Sequence, residues 1–146
     1  MIRLQSFFQF YLRIALALAY LKLGLDRLGF WGPNGRRFVS WGDWKHFMQY
    51  ANEVMGFLPA SLIEIFAVGA TVAEIVFGIL LLVGKWTRFA CIGSGSMTFL
   101  FAVSMAVSNG IQDPIGYSVF TVSAASFLLA TIPGYKWSID NINKTA

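Results

Sequence analysis

Glu74 is the residue whose placement demands a chemical explanation. It sits in the apolar run from Thr71 to Val83, which stops at Gly84 and a basic, aromatic flank, Lys85-Trp86-Thr87-Arg88. A carboxylate inside a membrane-grade segment is costly unless it is neutral, paired or facing a wet cavity. The obvious partner is Arg13, embedded in the first apolar segment, residues 7–28. A buried Arg–Glu pair has two uses. It can fix the register of two helices, or it can offer a hydrogen-bond donor and a titrating acid to a ligand or proton route. Residue types alone leave both uses open.

The other charges help to choose the partners. On a helix, Arg13, Ala17, Tyr20, Gly24 and Arg27 share one face, and Lys22 falls on the opposite one. In an antiparallel helix pair, Arg13 and Glu74 come to similar depth, and so do Lys22 and Glu64. Only the first pair has small residues on both helices, with Ala67, Ala70, Thr71 and Gly78 around the acid. The expected contact is therefore Arg13–Glu74. Lys22 snorkels outward and has Asp26 four residues on as its intrahelical partner, while Glu64 hydrates near the outer interface.

No catalytic residue and no metal site is expected. The one cysteine, Cys91, lies in an apolar segment and reads as a small packing residue; without a Cys-x-x-Cys, thiol-relay chemistry is excluded. The one histidine, His46, projects from a polar face and reads as a solvated side chain rather than a ligand. There is no nucleotide-binding glycine loop and no nucleophile–histidine pairing.

The elements that must carry these residues are membrane spans. With 57% hydrophobic and only 12% charged residues, the 146-residue chain is one domain of insoluble composition. Its net charge of +4 sits at segment ends, as membrane flanks do, and excludes a nucleic-acid patch. The predicted fold is all-α: an integral membrane four-helix bundle with spans over about 7–28, 62–83, 89–107 and 115–132. Arg3 before an apolar run, with Ala15-x-Ala17-x-Ala19, also suggests a signal peptide, but the run is long and is interrupted by Arg13 and Lys22. Residues 29–58 form an extramembrane loop, turn-forming at first. Ser40-Trp41-Gly42-Asp43 then has capping-box spacing, and an amphipathic interfacial helix follows with Trp44, Phe47, Met48 and Ala51 inward. Gly84 to Arg88 is a tight turn between antiparallel spans.

Four spans put both termini on one side. Arg3, Lys85, Arg88, Lys136 and Lys144 lie on that side, against Arg27, Arg36, Arg37 and Lys45 on the other. The larger set sits in short connections, so both termini are expected in the cytoplasm.

Several of these motifs resemble the DoxX family. They are Arg13 in the first span, Gly24-Leu25-Asp26-Arg27, and Glu74-x-x-x-Gly78-x-x-Leu81-Leu82-x-Gly84-x-x-Thr87-Arg88, with Tyr117-Ser118-Val119-Phe120-Thr121 in the fourth span. The position that carries a Lys elsewhere in the family is Arg27 here. The resemblance covers nearly the whole chain and implies a four-helix protein of the prokaryotic cell (inner) membrane. Some members are membrane subunits of a thiosulfate:quinone oxidoreductase, and others belong to membrane-associated oxidoreductase complexes.

The leading expectation is a membrane subunit or accessory protein of an oxidoreductase complex. It would hold a quinone or lipid-like molecule in the bundle while a membrane or soluble partner supplies the redox centre. Tyr20, Gly24, Arg27, Thr71, Gly78, Tyr117 and Thr121 are the candidate ligand-lining residues, with Tyr20 and Tyr117 as hydrogen-bond partners for a quinone oxygen. The alternatives are a small proton-coupled transporter that titrates Glu74, and a purely structural membrane anchor. The chain is not expected to be catalytic alone. A homo-oligomer is compatible with all three readings.

Overall fold

The computed structural model describes the backbone of residues 2–142 and the side chains of residues 4–142. Arg3 and Lys144, both counted in the charge bias, lie outside the described side chains. The described residues form an all-helical bundle: α1 (Ile2–Asp26), α2 (Trp44–Val54), α3 (Ala60–Val83), α4 (Thr87–Asn109), α5 (Gln112–Gly116), α6 (Val119–Ala130) and α7 (Ile139–Ile142). Of these, α1, α3 and α4 are long and apolar enough to cross a membrane. α4 lies between α3 and α6, and α1 packs chiefly on α3. Large apolar side chains such as Phe8, Leu18, Phe66, Val72, Ile79 and Leu100 face outward. That surface would promote aggregation in water and is the natural one in lipid.

The face expected of α1 is the buried one: Arg13, Ala17, Tyr20, Gly24 and Arg27 are all inaccessible. Its register on α3 differs from expectation. Gly24 lies against α3 so closely that a Cβ there would come within 2.8 Å of Ile75 and 3.6 Å of the Glu74 Cβ. Gly78 does the reciprocal job, since a Cβ there would meet Leu21 at 2.7 Å. Each helix thus inserts a branched side chain into the other's glycine notch, the close approach that small residues permit between membrane helices. This places the end of α1 beside Glu74. Arg13 lies about twelve residues, roughly 18 Å, further along the axis.

Gly84 ends α3 in the left-handed conformation (φ 69°), and its N–H and that of Lys85 both bond to the Leu80 carbonyl. A side chain there would collide with Ser138 and Arg13, so only glycine fits this corner.

The fourth span is not the single helix expected over residues 115–132. It is broken at Tyr117–Ser118, where Ser118 adopts φ 58°, into the five-residue α5 and the twelve-residue α6. Gly116 is a poor helix former just before the break, and the Ser118 N–H turns back to the Ile115 carbonyl. At the helical rise α6 is about 18 Å long, short of a bilayer core about 30 Å thick. α5 lies against α4 and α6, so the fourth apolar element is discontinuous.

The amphipathic helix begins at Trp44, so Ser40 is not its cap. Asp43 itself is the cap, accepting from the His46 backbone N–H at 2.8 Å, and its carboxylate contacts the His46 ring as well. Those bonds hold the Asp43 carboxyl below its ordinary range. α2 packs on α3 and α4 through Phe47, Ala51 and Val54, with Trp44 and Met48 only half-buried. Its last carbonyl is tied down too, since Ser104 and Ser108 on α4 both donate to that of Val54.

At the opposite end the segment after α6 folds back over the bundle. The Asp140 N–H donates to the Gly84 carbonyl at 2.9 Å, and the Asp140 carboxylate accepts from the Trp86 and Thr87 N–H groups at 2.8 Å each. It caps α4 in place of a local residue, with the negative charge at the helix N-terminus where the dipole favours it. Gln9 on α1 donates to the Lys136 carbonyl at this same end. Burial of Asp140 works to raise its pKa, but the Thr87 and Trp86 amides and Arg13 outweigh it and hold the carboxyl below the ordinary carboxylate range. A depressed folded-state pKa contributes stability above the unfolded value, near 4, that is lost as pH falls through the folded one. Thermal denaturation in detergent between neutral and acidic pH should therefore show Asp140→Asn less stable at neutral pH, by on the order of 1 kcal/mol for this part-exposed group. The two proteins should converge as the pH falls below the carboxylate range.

Candidate functional site

Glu74 lies near the middle of α3, about 15 Å from its Gly84 end and about 21 Å from its Ala60 end at the helical rise. Its partner is Arg27. The Arg27 Nη2 donates to Glu74 Oε1 at 3.0 Å, and Oε2 is equally close but out of line for a hydrogen bond. The Arg27 Nη1 donates to the Thr71 hydroxyl at 2.9 Å, and that hydroxyl donates in turn to the Ala67 carbonyl at 2.8 Å. Arg27, the residue just past the end of α1, thus reaches one full turn of α3. The spacing of Thr71 and Glu74, three residues apart, puts both acceptors on the same α3 face.

The loop and α2 close over this pair. The Arg27 guanidinium carbon lies 4.0 Å from the Phe47 ring centroid and 5.2 Å from that of Trp41. A cation on aromatic faces is stabilised where water is excluded. Arg27 is 3% exposed, whereas the Glu74 side chain keeps 12%. Tyr50 on α2 is half-buried nearby, and burial pushes its phenol up to about 12, so it stays protonated. Neither the Arg27 Nε nor the Glu74 Oε2 has a hydrogen-bond partner among the described residues. A buried donor and a buried acceptor therefore stand unused side by side, a state that carries a desolvation penalty until a ligand or water fills it.

The lid is positioned by Asp26. Its fully buried carboxylate accepts backbone N–H groups from Ser40 at 3.2 Å, Trp41 at 2.7 Å and Gly42 at 3.3 Å. Lys22 stands 3.9 Å from Asp26, as the four-residue spacing predicts, and donates to the Ser40 hydroxyl at 2.6 Å. Asp26 thus serves the loop more than the lysine. The next residue, Arg27, is thereby delivered under the loop it anchors.

The Arg13–Glu74 contact is corrected by this geometry. The glycine notches set the register, and Arg13 ends up at the opposite end of the bundle. There its Nη2 donates to the Trp137 carbonyl, and its guanidinium lies 5.4 Å from the Phe10 ring centroid. Of the other candidate residues, Tyr20 is buried and its hydroxyl bonds to Thr98 at 3.1 Å and Ser126 at 2.9 Å, tying α1 to α4 and α6. Gly24 and Gly78 are helix contacts. Tyr117 (74% exposed) and Thr121 face outward, and Glu64 is exposed near the start of α3. The structure brings together Arg27, Thr71 and Glu74 and leaves the rest apart. Trp41 and Phe47 complete the site: Phe47 belongs to the expected inner face of α2, whereas Trp41 reaches the pair through the loop and no spacing rule marks it. Among the described residues no cluster of His, Cys, Asp and Glu could hold a metal ion.

The DoxX family model matches residues 8–108, a segment that contains Arg27, Thr71, Glu74 and both glycine notches. No curated protein and no solved structure matches the chain.

A double-mutant cycle measured by unfolding in detergent tests the pairing. Glu74→Gln leaves Arg27 charged and unmatched and should cost about 3–5 kcal/mol. Arg27→Met should cost less, because a lone Glu can take up a proton. The double variant Arg27→Met with Glu74→Leu should recover much of the loss. The same cycle built on Arg13 should be additive to within about 0.5 kcal/mol, since those residues do not touch.

Proposed function

The chain belongs to the DoxX family, and from that premise we propose that it is a membrane subunit of an oxidoreductase complex that holds a quinone, or a similar lipid-soluble carbonyl compound, against Arg27 and Glu74. The observation that carries this reading is the pairing of an unused donor with an unused acceptor at hydrocarbon depth, on a carboxylate that retains some exposure. A quinone taking up two electrons needs two protons, and negative charge develops on its oxygens before they arrive. Arg27 is the charge that meets the developing oxyanion, and Glu74 is the group that exchanges a proton with it. The electrons come from a redox centre on a partner subunit, membrane-bound or soluble. Phe47 and Trp41 keep water off the pair, which strengthens both interactions.

In this reading the protein sits in the prokaryotic inner membrane with both ends in the cytoplasm. Lys85, Arg88 and Lys136 at the bundle end that carries the Asp140 latch support this orientation.

The test is the quinone content of the protein purified in mild detergent, followed by titration with a quinone analogue. Wild type should carry and rebind quinone, and Arg27→Met or Glu74→Gln should weaken binding by about 10–100-fold, the value of a hydrogen bond to a charged group. Lys45→Gln, remote from the pair, should leave it unchanged. Absence of quinone binding in wild type, with the pair affecting stability alone, would assign Arg27–Glu74 to register only.

A further inference from the structure

Beside the lid, on the outer flank of α1, a second feature stands apart from the Arg27–Glu74 pair. The loop after α1 encloses an open cavity of about 400 Å³ whose walls include Lys22, Arg36 and Arg37 together with Phe30, Trp31 and Phe38. Among the described residues no acidic side chain lines it. Arg36 and Arg37 have no ion-pair partner among the described residues. Lys22 is held in place by the Ser40 hydroxyl, with Asp26 3.9 Å away as the nearest negative charge. That carboxylate is already engaged by three loop amides, so the cavity keeps a net positive character.

The aromatic residues are unusual in being turned out. Phe30 is 71% and Phe38 79% exposed, and Phe38 sits at φ 69°, a backbone region that L side chains rarely adopt. Trp31 is fixed by its indole N–H, which donates to the Lys22 carbonyl at 2.9 Å. The whole lies just past the end of a membrane helix. Aromatic side chains at that level settle in the headgroup boundary, and cations among them meet lipid phosphates.

We infer that this cavity is a binding site for the phosphate headgroup of an anionic phospholipid. Arg36 and Arg37 take the phosphate oxygens, Lys22 closes the inner wall, and Phe30, Trp31 and Phe38 lie against the glycerol and upper acyl chains. Planar guanidinium forks suit phosphate oxygens in two-point contact. The cations supply the preference for charge, and the aromatic wall supplies the preference for a lipid over a free ion. The site would hold a bound lipid against the loop that Asp26 anchors over the buried pair, and its existence does not depend on what that pair binds.

Native mass spectrometry of the full chain, released from vesicles containing phosphatidylglycerol and phosphatidylcholine, tests the assignment. Wild type should retain phosphatidylglycerol in preference to phosphatidylcholine. Arg36→Gln with Arg37→Gln should cut that preference about fivefold per cation removed, while Lys45→Gln with Lys85→Gln should leave it largely intact. Both arginines are exposed, so the variant should fold, and Trp31 fluorescence during titration with phosphatidylglycerol vesicles gives a second readout. Millimolar inorganic phosphate should not displace the lipid. Equal retention of the two lipids by wild type, or an unchanged preference in the double arginine variant, would overturn the site. Displacement by inorganic phosphate would overturn the lipid as its ligand and leave a site for the free ion.

Discussion

The Arg27–Glu74 ion pair is the constraint on which the loop-covered half of the molecule depends. Neither charge is tolerable alone at hydrocarbon depth, so the two must meet, and their meeting brings the end of α1 to the middle of α3. The glycine notches at Gly24 and Gly78 make that register sterically possible. The chain leaving α1 must then return over the guanidinium, which it does through Asp26 and the amides of Ser40, Trp41 and Gly42. α2 follows as a roof on α3 and α4, with Phe47 on the cation. Charge, helix register and lid are one arrangement.

The two ends of the bundle solve the same problem in different ways. At the end under the loop and α2 a buried arginine is matched by a carboxylate and shielded by aromatic rings. At the other, Arg13 is buried against a backbone carbonyl, beside a C-terminal segment held by Asp140 on the first amides of α4. The second arrangement resembles a latch: it joins the start of α4, the α3–α4 corner and the tail through Gly84. The first retains an unused donor and acceptor. Arg13 keeps unused N–H groups as well, so the ligand reading attaches to Arg27 through the carboxylate paired with it, which can exchange a proton.

Much of the fold was legible in residue patterns. The buried face of α1, the turn at Gly84 and the apolar inner face of α2 all follow from helical periodicity and glycine placement. Depth alone assigns Glu74 the wrong partner, because it matches charges as if the spans overlapped fully. Long side chains tolerate large errors in depth, whereas a glycine notch does not. Gly24 and Gly78, taken as the closest approach, would have set the register and put Arg27 opposite Glu74. The break at Ser118 had weaker signals, since a left-handed serine has no sequence mark beyond the nearby Gly116 and Pro114. The Trp137 carbonyl and the return of Trp41 over Arg27 have no sequence mark, because backbone acceptors and loop returns leave no periodic pattern.

The register of α1 on α3 is the claim from which the rest follows, and disulfide trapping reads it directly. In a chain with Cys91→Ala, paired cysteines at Leu21 and Gly78 sit at the observed close contact and should cross-link rapidly in native membranes under mild oxidation. Cysteines at Leu12 and Ile75 represent the register that would bring Arg13 to Glu74. In the structure they lie roughly 18 Å apart along the axis and should stay reduced. Rapid cross-linking of the Leu12–Ile75 pair, with none between positions 21 and 78, would contradict the account.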